Sequence, residues 1–190
     1  MVRLNRIYTR TGDAGTTGLA DGSRLSKAAP LMAAIGDVDE ANSAIGVALL
    51  HVVAEHRAML STIQNELFDL GADLATPGED FTPSDMVLRI TVDQVERLER
   101  EIDAMNAELE PLRSFILPGG EGGAAYLHLA RAAVRRAERA VVAASSLAAL
   151  NPQALAYINR LSDHLFVLAR VVANRAGGDI LWRPGATRNG

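Results

Sequence analysis

The sequence predicts an all-α protein, an up-and-down bundle of five helices preceded by a glycine-rich N-terminal loop. Apolar residues make up 48% of the chain but aromatics only 4%, so the interior must be built from Leu, Ala, Val and Ile, which suits closely packed helices. Apolar positions recur at helical spacing in successive segments, and capping or Pro/Gly signals separate those segments. At 190 residues the chain is long enough for one well-filled core and short for two. It reads as a single domain without internal repeats, with an arm over 1–29, the bundle over 30–178 and a tail over 179–190.

The first helix is predicted from Pro30 to about His56, with Leu31, Ala34, Ile35, Val38, Ala41, Ile45 and Ala48/Leu49 on its apolar face. Asp37, Asp39, Glu40 and Asn42 lie opposite part of that face. Asp39 stands two turns into the helix, where the macrodipole no longer favours an acid, so it calls for a cationic partner. A second helix runs from about Ala58 to Ala75 on Leu60, Ile63, Leu67, Leu70 and Leu74, and stops at Thr76-Pro77-Gly78. Residues 77–90 read as a polar, Pro-rich loop. Thr91 and Gln94 then form a capping box ahead of a third helix that ends before Pro111, with a Glu/Arg-rich outer face read as solvated. The fourth spans Ala124 to Leu150. The fifth opens with Asn151 as N-cap and Pro152 at the first helical position, and stops at Gly177-Gly178. Asn159, Asp163, Phe166 and Arg170 share one of its faces beside a long apolar seam.

The fourth helix is the most informative. Arg131, Arg135 and Glu138 fall within an arc of about 60°, with Arg139 beside them and Arg136 further round. Ala130, Ala133, Val134, Ala137 and Val141 occupy a second, apolar arc. A solvated face usually mixes Glu with Lys. Guanidinium forks concentrated here match the oxygens of phosphate or carboxylate, and point to a bound polyanion, although surface i,i+4 pairing would give a similar pattern. Before the bundle, residues 7–27 show neither helical nor strand periodicity. Small residues at Gly12, Ala14, Gly15 and Gly18 allow a backbone nest, Thr9, Thr11, Thr16 and Thr17 add hydroxyls, and Arg24 or Lys27, the only lysine, could close it over phosphates. It lacks the Gly-Lys-Ser/Thr ending of a Walker loop. Phe115 sits on a connecting loop ahead of Pro118 and four glycines, as a plug for the end of the bundle or as a ligand contact.

Composition removes several function classes. A net charge of −4 argues against general nucleic-acid binding. The absence of cysteine excludes disulfides, thiol catalysis and zinc–thiolate sites. No metal-ligand spacing groups the four histidines, so no protein-built metal site is expected. No apolar run approaches the roughly 20 residues that span a bilayer, and the N-terminal residues show no leader pattern, which makes a cytoplasmic protein the expectation.

Five segments in one order, beginning at residue 7, now acquire a common meaning. I-Y-T-R-T-G-D-A-G-T-T-G-L with R-L-S-K, G-D-V-D-E-A-N-S-A-I-G, F-I-L-P-G-G, A-R-A-A-V-R-R-A-E-R and Y-I-N-R-L-S-D together resemble the PduO-type ATP:cob(I)alamin adenosyltransferases. The resemblance implies a homotrimer of five-helix bundles with ATP at the subunit interfaces. It implies transfer of the 5′-deoxyadenosyl group of ATP to cob(I)alamin, with triphosphate released, and Mg²⁺ accompanying the nucleotide. By position, Thr9, Arg10, Thr11, Gly12, Thr17 and Gly18 would cradle ATP with Lys27 on its phosphates, and Arg135, Arg136, Glu138, Arg139 and Asn159 would line the nucleotide site. Asp39 and Arg131 match a pair joining neighbouring subunits beside the active site. Phe115 matches the aromatic under the corrin, and Phe166 a further wall of that pocket. Arg10 departs from many members, which carry lysine there. A reductase and an adenosylcobalamin-dependent mutase are implied partners. The contrasting expectation is a carrier or sensor that binds the same ligands without turnover.

Overall fold

The computed structural model describes residues 7–188; the first six positions of the arm, including Arg3 and Arg6, and the last two of the tail lie outside the described residues. Five helices form the bundle: α1 Pro30–Leu49, α2 Ala54–Leu74, α3 Val92–Asn106, α4 Ala124–Ser145 and α5 Pro152–Asn174. The spatial order is α2, α1, α4, α5, α3, with α4 packed between α1 and α5. Side-chain pairings give the directions. Arg131 on α4 lies over the Phe166 ring of α5, and Asn159 bonds Glu138, so position falls along α5 as it rises along α4 and the two are antiparallel. Glu99 pairs with Arg160 and Glu101 with His164, which makes α3 and α5 parallel. Together with the short α1–α2 connection, these give the alternating bundle that the sequence predicts.

The core is aliphatic, as composition requires. Leu60, Ile63, Leu67 and Leu70 of α2, Ala34, Val38, Ala41 and Ile45 of α1, and Ala130, Val134, Ala137 and Val141 of α4 are all at or near zero exposure, as is the Leu161–Leu165–Leu168 seam of α5. Alanines on α1 and α4 let these two backbones approach closely. Gly123 starts α4 at φ 100°, and a Cβ there would lie 2.7 Å from the His51 carbonyl oxygen. His51 also stacks on Tyr126 at 4.0 Å between ring centres. The beginning of α4 is thus fastened to the end of α1.

Helix ends differ from the sequence reading where local hydrogen bonds compete. α1 stops at Leu49 rather than near His56, and α2 begins at Ala54 rather than Ala58, because Val53 takes extended backbone between them. α4 ends at Ser145 rather than Leu150; the hydroxyls of Ser145 and Ser146 donate back to the Val142 and Ala143 carbonyls, both at 2.8 Å, and compete with the helical ladder. Within the arm, Thr16–Gly18 (β1) and Arg24–Ser26 (β2) pair antiparallel where the sequence shows only loop. Strands of three residues are too short to display an alternation. The Thr91–Gln94 capping box and the Asn151 cap form as predicted, with Thr91 N–H donating to Gln94 at 2.8 Å and Gln153 N–H to Asn151 at 3.0 Å.

Two buried polar networks join the helices. The acidic and basic face of α3, read as solvated, is so at Asp93, Glu96, Arg100 and Asp103, but Arg97, Glu99 and Glu101 turn toward neighbouring helices. Arg97 binds Glu66 of α2 and Glu101, Tyr157 donates to Glu66 at 2.7 Å, and His164, fully buried, contacts Glu101 at 2.8 Å. These groups are cheaper to bury together than singly, since each satisfies another's charge or hydrogen-bonding capacity. At the other end of α2, Arg89 from the 77–90 loop donates to Asp73 at 2.7 Å and to the carbonyls of Thr76 and Asp80. Asp73 also accepts from Ile90 N–H and from Asn151 at the start of α5. The loop is therefore folded onto two helix termini. Asp73→Ala leaves the Arg89 guanidinium buried without its counter-ion and should lower unfolding stability by about 3–5 kcal/mol, as measured by denaturant melts; a loss below 1 kcal/mol would show that the loop simply swings out into water.

Candidate functional site

Two cavities lie along the face shared by α4 and α5. The larger, about 810 Å³, is lined by Phe115, Ser114 and Ile116 of the 107–123 connection, Arg131 and Arg135 of α4, Phe166 of α5, and Trp182 and Pro184 of the tail. The smaller, about 460 Å³, is lined by Arg135, Glu138, Arg139, Val142 and Asn159. Arg135 borders both. Their chemistry differs: one is largely apolar with cations on one wall, and the other consists of two arginines, a carboxylate, an amide and a valine. Asn159 donates to Glu138 at 2.7 Å and accepts from Arg160 at 3.2 Å, which fixes the orientation of its amide. The spacing of Arg131, Arg135 and Glu138 on α4 is what aligns them along this face, because the alanine seam of the same helix is committed to the core.

Electrostatics separate the arginines. Arg131 is half-buried, with Nε lacking a hydrogen-bond partner and the guanidinium 5.8 Å from the Phe166 ring centre; burial and then the neighbouring Arg135 pull its pKa below the usual arginine value. Such a group favours an incoming anion. Arg136 behaves differently. It faces α1, where it pairs with Asp37 at 3.2 Å and with Glu40, and these bonds raise its pKa. It lines neither cavity, so of the five residues implied for the nucleotide site, the structure gathers Arg135, Glu138, Arg139 and Asn159 and leaves Arg136 bridging two helices. Asp39 lies in a groove between α1 and α2, beside Met32, Ile35 and the exposed Phe68, and no hydrogen bond or ion pair joins it to Arg131 within the chain. Among the described residues of its own chain Asp39 makes no ion pair.

Phe115 does not plug the bundle. Its side chain is 77% exposed and stands edge-on to Trp182 with ring centres 6.0 Å apart. The tail holds this loop as a short antiparallel ladder: Trp182 N–H donates to the Phe115 carbonyl at 2.8 Å, Leu117 N–H to the Ile180 carbonyl at 2.7 Å, and Ser114 Oγ to the Trp182 carbonyl at 3.1 Å. In sequence the Trp182-Arg-Pro-Gly run is not diagnostic, and only the fold shows the single tryptophan of the chain beside Phe115.

In the arm, β1 carries Thr17 and Gly18, and the segment before it carries Thr9 to Gly12. Arg24 is the brace. It donates to the Thr11 carbonyl at 2.7 Å, and to the Thr16 hydroxyl and carbonyl at 2.8 and 3.1 Å. Lys27 packs over Gly12, where a Cβ would come within 3.0 Å of Nζ. Of the two cations that could have closed the nest, one therefore shapes it and the other faces its glycine. Arg10 holds a left-handed backbone conformation, φ 64°, which a side-chain-bearing residue adopts only at some cost. Thr9 and Thr11 share a hydroxyl hydrogen bond of 2.9 Å. Among the described residues of the arm, none lines either cavity of its own chain. Replacing Arg24 by Ala should speed amide hydrogen exchange across residues 11–26 and leave the melting temperature nearly unchanged, because the brace is exposed; protection equal to wild type would mean that β pairing alone holds the arm.

The family model described as cobalamin adenosyltransferase matches residues 7–172. The corrinoid adenosyltransferase of Mycobacterium tuberculosis strain H37Rv is 50% identical over 194 residues, covering 98% of this chain and 97% of that protein. The cobalamin adenosyltransferase of Cupriavidus metallidurans is 50% identical over 185 residues, with 95% and 96% covered. Among solved structures, a phenylalanine-to-alanine variant of the PduO-type ATP:corrinoid adenosyltransferase from Lactobacillus reuteri, complexed with cobalamin and ATP, superposes with a TM-score of 0.84 at 37% identity, covering 94% of this chain and 99% of that one. A five-helix bundle, a glycine-rich arm, an arginine-lined face and near full-length similarity agree, and the chain belongs to the cobalamin adenosyltransferase family.

Proposed function

We propose that this protein transfers the 5′-deoxyadenosyl group of ATP to cob(I)alamin, forming adenosylcobalamin and releasing triphosphate. The observation that carries this reading is Arg135 at the junction of a polar cavity and an apolar one, each of a size and chemistry suited to one substrate. ATP occupies the smaller, against Arg139, Glu138 and Asn159; the corrinoid occupies the larger, between Phe115, Phe166 and Trp182. At the boundary the Co(I) electron pair forms the Co–C bond at C5′ while the C5′–O bond breaks and its electron pair leaves with triphosphate. No protein nucleophile is needed, since the corrinoid supplies it. Charge builds on the leaving oxygens, and Arg135 stands where it can stabilise that charge.

The site is completed by a neighbouring subunit in a homotrimer. Three observations support this: the described residues of the arm line neither cavity of their own chain, the Asp39 carboxylate has no partner among the described residues, and Arg131 Nε is buried without one. In the trimer, Thr9, Arg10, Thr11, Gly12, Thr17, Gly18 and Lys27 of one subunit close over the triphosphate held by the next, and Asp39 meets Arg131 across the interface. Arg136 acts at one remove, holding α4 to α1. Mg²⁺ binds chiefly through substrate phosphates and one or two carboxylates. That chemistry fits a cavity with Glu138 on its wall and no separate cluster of three or more acidic or histidine groups among the described residues. When bound, the cation would neutralise part of the triphosphate charge. The residues 1–29, 30–178 and 179–190 act as nucleotide arm, bundle and corrinoid-side tail. The setting is the cytoplasm, with a reductase supplying the electron and a mutase receiving the product; among the described residues no helix is long and apolar enough to cross a membrane.

Phe115 has a separate task. An aromatic beneath the corrin excludes a lower axial ligand, and loss of that ligand makes Co(II) easier to reduce to Co(I). An anaerobic assay with ATP and chemically reduced cobalamin, following Co(I) absorbance and the phosphate product, tests the reaction directly: adenosylcobalamin with intact triphosphate supports it, and tight binding of both ligands without turnover overturns it in favour of a carrier. In that assay Arg135→Ala should lower kcat by about 10²–10³-fold, the range for removal of one preorganised charge-stabilising donor. Phe115→Ala should spare ATP affinity and instead impair activation of cob(II)alamin; equal losses in both would place its role in folding.

Subunit pairing makes its own demand. Asp39→Arg and Arg131→Asp each leave a like-charge contact at the interface and should abolish activity and weaken the trimer in sedimentation. Combining them should recover part of both, and a double variant no better than either single one would count against direct pairing.

A further inference from the structure

An exposed phenylalanine cannot hold its own position. Packing contributes little to Phe115, whose side chain is 77% exposed and whose one aromatic neighbour is Trp182. Its place depends on backbone bonds to the tail, and the tail follows Gly177 and Gly178, both at positive φ, where the chain can swivel. Something else must anchor that tail. Arg170 does so from the interior: its Nε donates to Asp179 at 3.0 Å and its Nη2 to the Glu110 carbonyl at 2.9 Å. Asp179 begins the tail, and Glu110 lies in the connection that carries Phe115, five residues before it. One guanidinium therefore clasps both chains of the ladder. The residue is 7% exposed and sits one turn beyond Phe166 on α5, so its backbone is set by the same helix that forms the opposite wall of the cavity.

We propose that Arg170 is a positioning residue for corrinoid activation, acting with Asp179 to hold the Phe115 loop and the tail at the spacing that places the aromatic beneath the corrin. The inference rests on the adenosyltransferase reading. Arginine suits the task because its fork sends donors in two directions, toward a carboxylate and a carbonyl, where lysine offers one compact ammonium. The pair is mostly withdrawn from solvent, with side-chain exposures of 8% and 15%, so salt screens it weakly. Neither residue borders the Glu138–Asn159 cavity. Loosening the clasp therefore affects one substrate and not the other.

The experiment uses the intact protein with ATP and cob(II)alamin, and reads by electron paramagnetic resonance the fraction of Co(II) that has lost its lower axial ligand. Wild-type protein sets the scale; if it yields no such species, the underlying function fails and this inference with it. Given a wild-type signal, Arg170→Ala should reduce the ligand-free fraction by about tenfold to a hundredfold, the range for a misplaced catalytic group, and leave ATP affinity by titration unchanged. Arg170→Lys should recover part of it. Adding Arg170→Ala to Phe115→Ala should cost nothing further, because both act through the same aromatic. A wild-type signal in Arg170→Ala, parallel loss of ATP binding, or fully additive effects in the double variant would overturn the proposal. If Arg170→Ala fails to fold, Asp179→Asn, outside the helices and nearly isosteric, carries the same comparison.

Discussion

The packing of α4 between α1 and α5 is the constraint on which the molecule depends. A helix buried on two sides has one free strip, and every side chain meant for a ligand must fall on it. Alanines at 130, 133 and 137 are small enough to let neighbouring backbones close in, and the larger Val134 and Val141 fill the remaining space. Arg131, Arg135, Glu138 and Arg139 are left on the open side. The site is thus a by-product of how the core is filled: the same periodicity that buries the alanines aligns the guanidinium groups. Arg136 marks the edge of the strip, where the helix turns toward α1 and the charge is spent on Asp37 and Glu40.

Much of this was legible because it follows from periodicity and capping. The five helices, the Thr91 and Asn151 caps and the arginine strip all rest on interactions within one helix or one turn. The polar networks were not legible. Arg97, Glu101 and Arg89 look like solvated residues in sequence, since nothing local says that Glu66 or Asp73, more than ten positions away, will be waiting for them. The same limit explains the arm: Arg24 and Lys27 are equivalent candidates in sequence, and only the fold distinguishes the brace from the cation over Gly12. Family resemblance supplied roles for Asp39 and Phe115 that spacing could not. The exposed setting of Phe115, opposite in kind to a plug, is compatible with the role so supplied.

Stability and function draw on different parts of the chain. The buried networks hold α2, α3 and α5 together, and none of Glu66, Arg97, Glu101, Tyr157 and His164 lines either cavity. The elements bordering the two cavities are a loop, a tail and the outward strips of α4 and α5, and the loop and tail bury little and depend on a few directed bonds. This division leaves the substrate-facing surfaces free to adjust when a ligand arrives, since opening them does not expose the aliphatic core.

Gly123 shows how firmly the remaining degree of freedom is removed. With its Cα against the His51 carbonyl, and with His51 stacked on Tyr126 one turn later, α4 can neither slide along nor spin about its own axis. Advancing the helix by a single residue would swing every side chain through about 100°. Arg135 would leave the boundary between the two cavities, and Val134 or Arg136 would take its place, according to the direction of the shift. The address of the reactive centre is written, in effect, at the residue that caps the helix and just past the far end of another. Substitutions there would change which residues face the ligands while touching none of them.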